Sequence, residues 1–202
     1  MTRTERSERN RARLLDVARR VFRERGYQGA TLEGIAEEAG FTKGVIYSQF
    51  ESKADLFLVL LEQRIAARAR ENVELAEGLA GDEGLARLLD HVSHLSRAEP
   101  DWGLVLIEFR VHAARDPELN RRYAELHERT IAALAELFED LYARAGAEPT
   151  LPARRMGELV LAIGTGTHLE QEANPEALGG ELVAGLLADV LARGEVRARS
   201  AA

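Results

Sequence analysis

The 202-residue chain has no cysteine, which excludes disulfide staples, thiol nucleophiles, thiolate metal centres and iron–sulfur clusters. Nor does it have an apolar run approaching the roughly 18 residues a membrane span requires, so no membrane segment is expected. The opening Met1-Thr2-Arg3-Thr4-Glu5-Arg6-Ser7-Glu8-Arg9 lacks the apolar stretch of a signal peptide, and the expected location is the cytoplasm. Repeats, low-complexity tracts and alternating β-branched runs are missing. So are G-x-S-x-G, Walker-type and H-E-x-x-H sequences, and none of His91, His94, His112, His127 and His168 has a glutamate three positions earlier. The pairs His91 and His94, and Glu108 and His112, have helical spacing a metal accepts. Without the motifs, however, no metal, cofactor or catalytic residue is expected.

The charge that is present is unevenly spread. The formal net charge is −7, yet residues 1–25 carry nine arginines (Arg3, Arg6, Arg9, Arg11, Arg13, Arg19, Arg20, Arg23, Arg25) against four acids (Glu5, Glu8, Asp16, Glu24). Residues 56–202 hold 16 basic and 25 acidic side chains. Attraction to phosphate follows the local field and not the whole-chain total. A basic end on an acidic body therefore suggests two tasks, the basic end serving as a solvated helix face or an arm that reaches a minor groove.

Helix signals recur throughout. Leu14, Val17, Ala18, Val21 and Phe22 form an apolar stripe at helical spacing, and Gly26 stands where a left-handed residue ends a helix. Thr31 is placed to cap a short helix that buries Leu32, Ile35, Ala36 and Ala39 and ends at Gly40, and Thr42 to cap a third through Val45, Ile46 and Tyr47. Ser52-Lys53-Ala54-Asp55 has the form of a capping box and opens a fourth helix, predicted to reach about Ala80. Further helices are predicted from Asp82 to about Arg97, from Trp102 to Arg115, from Asp116-Pro117-Glu118 to Ala145, from Pro152 to about Ala173, and from Asn174-Pro175 to about Arg193. The fold class is all-α, with about nine helices.

Thr31 to Tyr47 reads as helix, tight glycine-containing turn, helix: the helix-turn-helix pattern, whose second helix lies in the major groove. Ala36 is small enough for a close crossing, Gly40 permits a positive φ in the turn, and Val45 and Ile46 pin the second helix inward. The opposite face presents Lys43, Gly44, Tyr47, Ser48 and Gln49. Tyr27 is expected to pack and not to touch DNA.

The run from Ala18 through Val21-Phe22, Gly26-Tyr27, Ala30-Thr31, Ile35-Ala36 and Ala39-Gly40-Phe41-Thr42-Lys43-Gly44-Val45-Ile46-Tyr47-Ser48-Gln49-Phe50 to Ser52-Lys53 and Leu56 resembles the DNA-binding domain of the tetracycline-repressor (TetR) family. The resemblance covers about a quarter of the chain. Phe41-Thr42 stands where Val-Ser is common in that family, and Gln49 where His is frequent. The resemblance implies a DNA-binding domain at residues 1–55 and an effector-binding, dimerising helical domain at 56–202. It also implies phosphate contacts by Thr31, Tyr47 and Lys53. Thr42, Lys43, Gly44, Ser48 and Gln49 would lie at base edges or the adjacent backbone.

The expected activity is that of a repressor that leaves a palindromic double-stranded operator when a small molecule binds. A helical-bundle carrier or enzyme with a merely structural trihelical end is the alternative. Trp102, Glu108, Phe109, His112 and His168 are expected to line the effector cavity. Gly164-Thr165-Gly166-Thr167 is not a phosphate loop, since no strand precedes it; its small residues allow a close helix. Met156, Leu159, Ile163 and Thr167, with Leu178, Leu182, Leu186 and Val190, are expected to pair two subunits in a homodimer.

Overall fold

A computed structural model describes residues 2–79, 83–84, 87, 91, 100–146, 148–149, 151–179, 181–183 and 185–186. Seven helices have defined bounds: α1 (Arg3–Gly29), α2 (Leu32–Glu38), α3 (Lys43–Tyr47), α4 (Lys53–Ala76), α5 (Pro100–Ala113), α6 (Pro117–Ala145) and α7 (Ala153–Ala173). Residues 83–84, 87, 91, 181–183 and 185–186 are also helical, where the remaining two helices were expected. No strand occurs among the described residues, and none of their helices is long and apolar enough to cross a membrane.

The predicted caps hold at several ends. Thr31 Oγ1 accepts from the Gly34 N–H at 3.1 Å, and Asp116 Oδ1 accepts from both Glu118 and Leu119 N–H at 3.1 Å. Ser52 Oγ accepts from Asp55 N–H at 3.0 Å, whereas Asp55 turns back to the N–H of Glu51 and not of Ser52. Thr42 caps α3 through its carbonyl alone, which accepts from Val45 N–H; its hydroxyl makes no cap bond.

Gly26 interrupts the first helix as expected, with non-helical φ 71° and ψ 174°, and a short helical segment beyond this kink carries α1 to Gly29. Of the two expectations for the basic N-terminus, the helix face holds: Thr2 and Glu5 form a reciprocal capping box, and α1 begins at Arg3. One local expectation is corrected. Asn174-Pro175 opens a turn, not a helix. Asn174 Oδ1 holds the Glu176 N–H, Leu178 takes φ 47°, and helical bonding resumes with Val183 N–H to Gly179 O.

The chain packs as two compact units, Met1–Arg64 with Asp101–Tyr123, and Ile65–Pro100 with Ala124–Ala202. The sequence placed a boundary at residues 55 and 56. In the structure α4 runs through that point and sends Leu56, Phe57 and Leu60 into the first core, all essentially inaccessible.

The core of the first unit is aromatic. Phe57 meets Phe22 edge-on at 5.2 Å, Tyr27 at 5.3 Å, Phe109 at 4.5 Å and Trp102 in a stack at 5.5 Å. The core of the second unit joins Ala76 of α4, Leu134, Leu137, Phe138, Leu141 and Tyr142 of α6, Ala153, Met156 and Val160 of α7, and Val183. α7 approaches α6 closely because Gly157 has no side chain; a Cβ there would lie 3.2 Å from the Ile131 carbonyl oxygen.

Candidate nucleic-acid interface

The turn between α2 and α3 closes on Gly40, at φ 75°, with Gly40 N–H bonded to Glu37 O and Phe41 N–H to Ala36 O. This left-handed termination favours glycine because a Cβ would crowd the adjoining carbonyl. Ala36 and Ile46 are fully buried and fix α3 against the unit. The reverse side of that short helix, with Lys43, Gly44, Tyr47 and Ser48, is exposed, Tyr47 to 50%. A Cβ on Gly44 would meet nothing nearer than Thr42 Oγ1 at 3.9 Å, so the backbone here is open to close approach.

Two of the exposed side chains share one partner. Tyr47 Oη donates to Glu33 Oε1 at 3.0 Å, and Lys43 Nζ lies 3.8 Å from the same oxygen. Glu33's own backbone N–H, then the Tyr47 hydroxyl, hold this carboxyl below its ordinary range, and the reciprocal bond raises the Tyr47 phenol. Ser48 donates its hydroxyl to Val45 O at 2.7 Å and keeps its acceptor lone pairs. Thr31 is exposed at the start of α2.

Gln49 and Lys53 are both engaged by the protein's own groups. Gln49 is half-buried against α1: its Nε2 donates to Ser7 Oγ at 2.9 Å and its carbonyl accepts from Arg11 at 3.0 Å. These bonds tie the residues that follow α3 to α1. Lys53 Nζ donates to the Tyr27 carbonyl at 2.7 Å and sits 4.5 Å above the Tyr27 ring. Burial lowers this ammonium, with the Glu108 charge opposing. Its bonds close the carbonyl end of α1.

The α1 arginines, expected on a solvated face, also tie elements together. Arg11 lies over Phe50 and Arg13 over Phe41, while Arg20 and Arg25 both pair with Glu38 of α2. Neither Glu33 nor these links was legible in the sequence. The partners stand between 10 and 42 residues apart, where helical periodicity carries no signal.

The expected cavity residues part company. Trp102 and Phe109 belong to the aromatic core of the first unit. Glu108 Oε2 accepts from the Gln28 N–H at 3.2 Å, and exposed His112 tilts against Tyr27 at 5.4 Å. These four seat α5 on α1 and α4; of the four, Trp102 keeps a buried Nε1–H without an acceptor. His168 belongs to the second unit, where it is buried; its Nε2 makes no hydrogen bond and has Glu172 Oε1 4.0 Å away. Among the described residues no group of three metal-ligating side chains assembles.

The expected dimer residues divide too. Met156 and Thr167 are buried in the second unit and Ile163 is half-buried beside its core, so these three are no free surface. Leu159, Leu178, Leu182 and Leu186 are exposed by 40–54%; Val190 lies outside the described residues. Leu178 sits in the turn, not on the helical row the sequence assigned it to. Leu169, exposed by 51%, extends the Leu159 face across small Ala162 and Gly166.

Residues 14–60 match the family model for bacterial regulatory proteins of the tetR family, and residues 81–194 match that for the C-terminal part of BetI-type transcriptional repressors. Among curated proteins, the HTH-type transcriptional repressor AcnR of Corynebacterium diphtheriae is 33% identical over 122 residues, 60% of this chain and 58% of that one. The match thus spans little more than half the length of this relative. The transcriptional regulator FadR from Bacillus subtilis, solved with stearoyl-CoA, superposes with a TM-score of 0.70 at 20% identity, over 89% of this chain and 98% of that one. A transcriptional regulator from Saccharomonospora viridis, solved with choline, gives 0.71 at 21% identity, over 90% and 95%. At such identities the likeness speaks for the fold alone.

Proposed function

The chain belongs to the TetR family of bacterial regulatory proteins, and from that premise we propose that it is a homodimeric transcriptional repressor that binds DNA through α3 and releases it on binding a small molecule. The observation that carries this reading is the division of α3 into a buried Ile46 side and an exposed Lys43, Gly44, Tyr47 and Ser48 side. Two copies of α3, set roughly 34–36 Å apart, match successive major grooves of a palindromic site. Thr31 and Tyr47 serve as phosphate contacts, and Lys43, Gly44 and Ser48 approach base edges.

Titration with duplexes drawn from the DNA flanking its own coding region tests this. The expected result is sequence-preferring binding that weakens steeply with salt. Indifference to every duplex would make the trihelical end structural. Tyr47→Ala should weaken all operator variants alike, by about tenfold, since a phosphate contact carries no sequence information.

The effector site belongs to the second unit. Asn72 Oδ1 and His168 Nε2 are buried there without a hydrogen-bond partner. Gly164 stands on the α7 face that buries Val160 and His168, yet a Cβ there would meet no described atom within 4 Å. A polar-capable ligand satisfies such groups, which otherwise cost about 1–3 kcal/mol each. That two structural neighbours were solved with choline and with stearoyl-CoA supports a small-molecule ligand for this chain.

Dimerisation uses the exposed leucines. Leu182→Asp with Leu186→Asp should give a chain that elutes as a monomer in size-exclusion chromatography and no longer holds a full palindrome. A persistent dimer would move the interface elsewhere.

A further inference from the structure

Glu33 is an anion on the surface proposed to meet a polyanion. It sits in the first turn of α2 with its side chain 40% exposed, and its Oε1 is the shared partner of Tyr47 Oη at 3.0 Å and Lys43 Nζ at 3.8 Å. Two consequences follow from that placement. A fixed negative charge beside the docking face repels every phosphate backbone, whatever the base sequence. It also restrains Lys43, whose ammonium keeps further protons for the duplex while it is paired, so that this side chain arrives already oriented.

Resting on the DNA-binding reading of α3, we propose that Glu33 is a specificity-determining residue: it suppresses sequence-independent binding by charge while holding Lys43, the side chain placed at base edges, in the arrangement the operator requires. Binding to random DNA is almost wholly electrostatic, so the repulsion acts on it undiluted. Operator binding suffers the same repulsion but recovers the benefit of the restraint. The ratio between the two is what the carboxylate raises.

Two variants of the full-length chain separate these effects. Glu33→Gln keeps an acceptor for the Lys43 ammonium, as for the Tyr47 hydroxyl, and removes the charge. It should bind random duplex at least about threefold more tightly at low salt, with the log–log salt slope steeper by about one. Glu33→Ala removes both charge and restraint. It should bind random duplex as tightly as the Gln variant while the operator-to-random affinity ratio falls at least about fivefold below wild type. Circular dichroism confirms that each variant is folded. An unchanged random-DNA affinity in Glu33→Gln, or an unchanged ratio in Glu33→Ala, overturns the proposal. A wild-type chain that binds no duplex at all defeats the reading of α3 instead.

Discussion

Phe57→Ala should lower the unfolding free energy by about 3–5 kcal/mol, the range for removing a large aromatic from a close-packed interior. The ring is fully inaccessible and is the common neighbour of Phe22, Tyr27, Trp102 and Phe109. Its removal takes away apolar burial and several edge-on or stacked ring contacts, and the rings around it come from α1, α4 and α5, which cannot all collapse into one void. Set against the roughly 5–15 kcal/mol of a typical domain, the loss is a large fraction. Urea unfolding followed by circular dichroism measures it. A loss below about 1 kcal/mol would mean that the cluster repacks freely. Phe57→Leu, which retains most of the apolar bulk, should recover more than half of the loss.

Replacing Gly26 by alanine should cost about 2–4 kcal/mol, from two separable sources. The first is backbone: φ 71° with ψ 174° lies in a region occupied almost solely by glycine, worth about 1–3 kcal/mol to a residue with a Cβ. The second is a collision, since the new Cβ would stand 2.8 Å from both carboxylate oxygens of Glu108. A double-mutant cycle with Glu108→Ala divides the two. In the Glu108→Ala background the collision vanishes and the backbone cost stays, so the coupling energy should reach about 1 kcal/mol. Glu108→Ala by itself should destabilise modestly by removing the acceptor of the exposed Gln28 N–H. Strict additivity in denaturant titrations would show that the carboxylate simply steps aside.

These two sites mark where the sequence was informative and where it was not. The helices were legible because each is announced within a few residues. Thr31 caps α2, Asp116 and Pro117 open α6, Gly146 at φ 62° follows its end, and Pro152 precedes α7. The turn at Gly40 and the outward face of α3 came from the same local grammar. Asn174-Pro175 misled because an Asx-turn and a helix start share one signature. Which of the two forms depends on whether the following residues find a face to bury. The partners of Gln49 and Lys53 were not legible for another reason. A long polar side chain can reach outward or back, and acceptors on a distant element, here Ser7 Oγ and the Tyr27 carbonyl, decide which. Glu108 and His112 had the spacing of cavity wall residues, but α5 turns them onto α1 through a glycine 82 residues before Glu108, in a backbone conformation that periodicity cannot encode.

The single tryptophan of the chain sits face to face with Phe57, with the Arg64 guanidinium 5.2 Å from its ring centre. Its ultraviolet emission therefore originates from one place, the seat of α5 on α4, and from nowhere else in the molecule. Any event that loosens or tightens that seat can be followed optically in the unlabelled protein, with no dye to perturb the face that carries α3.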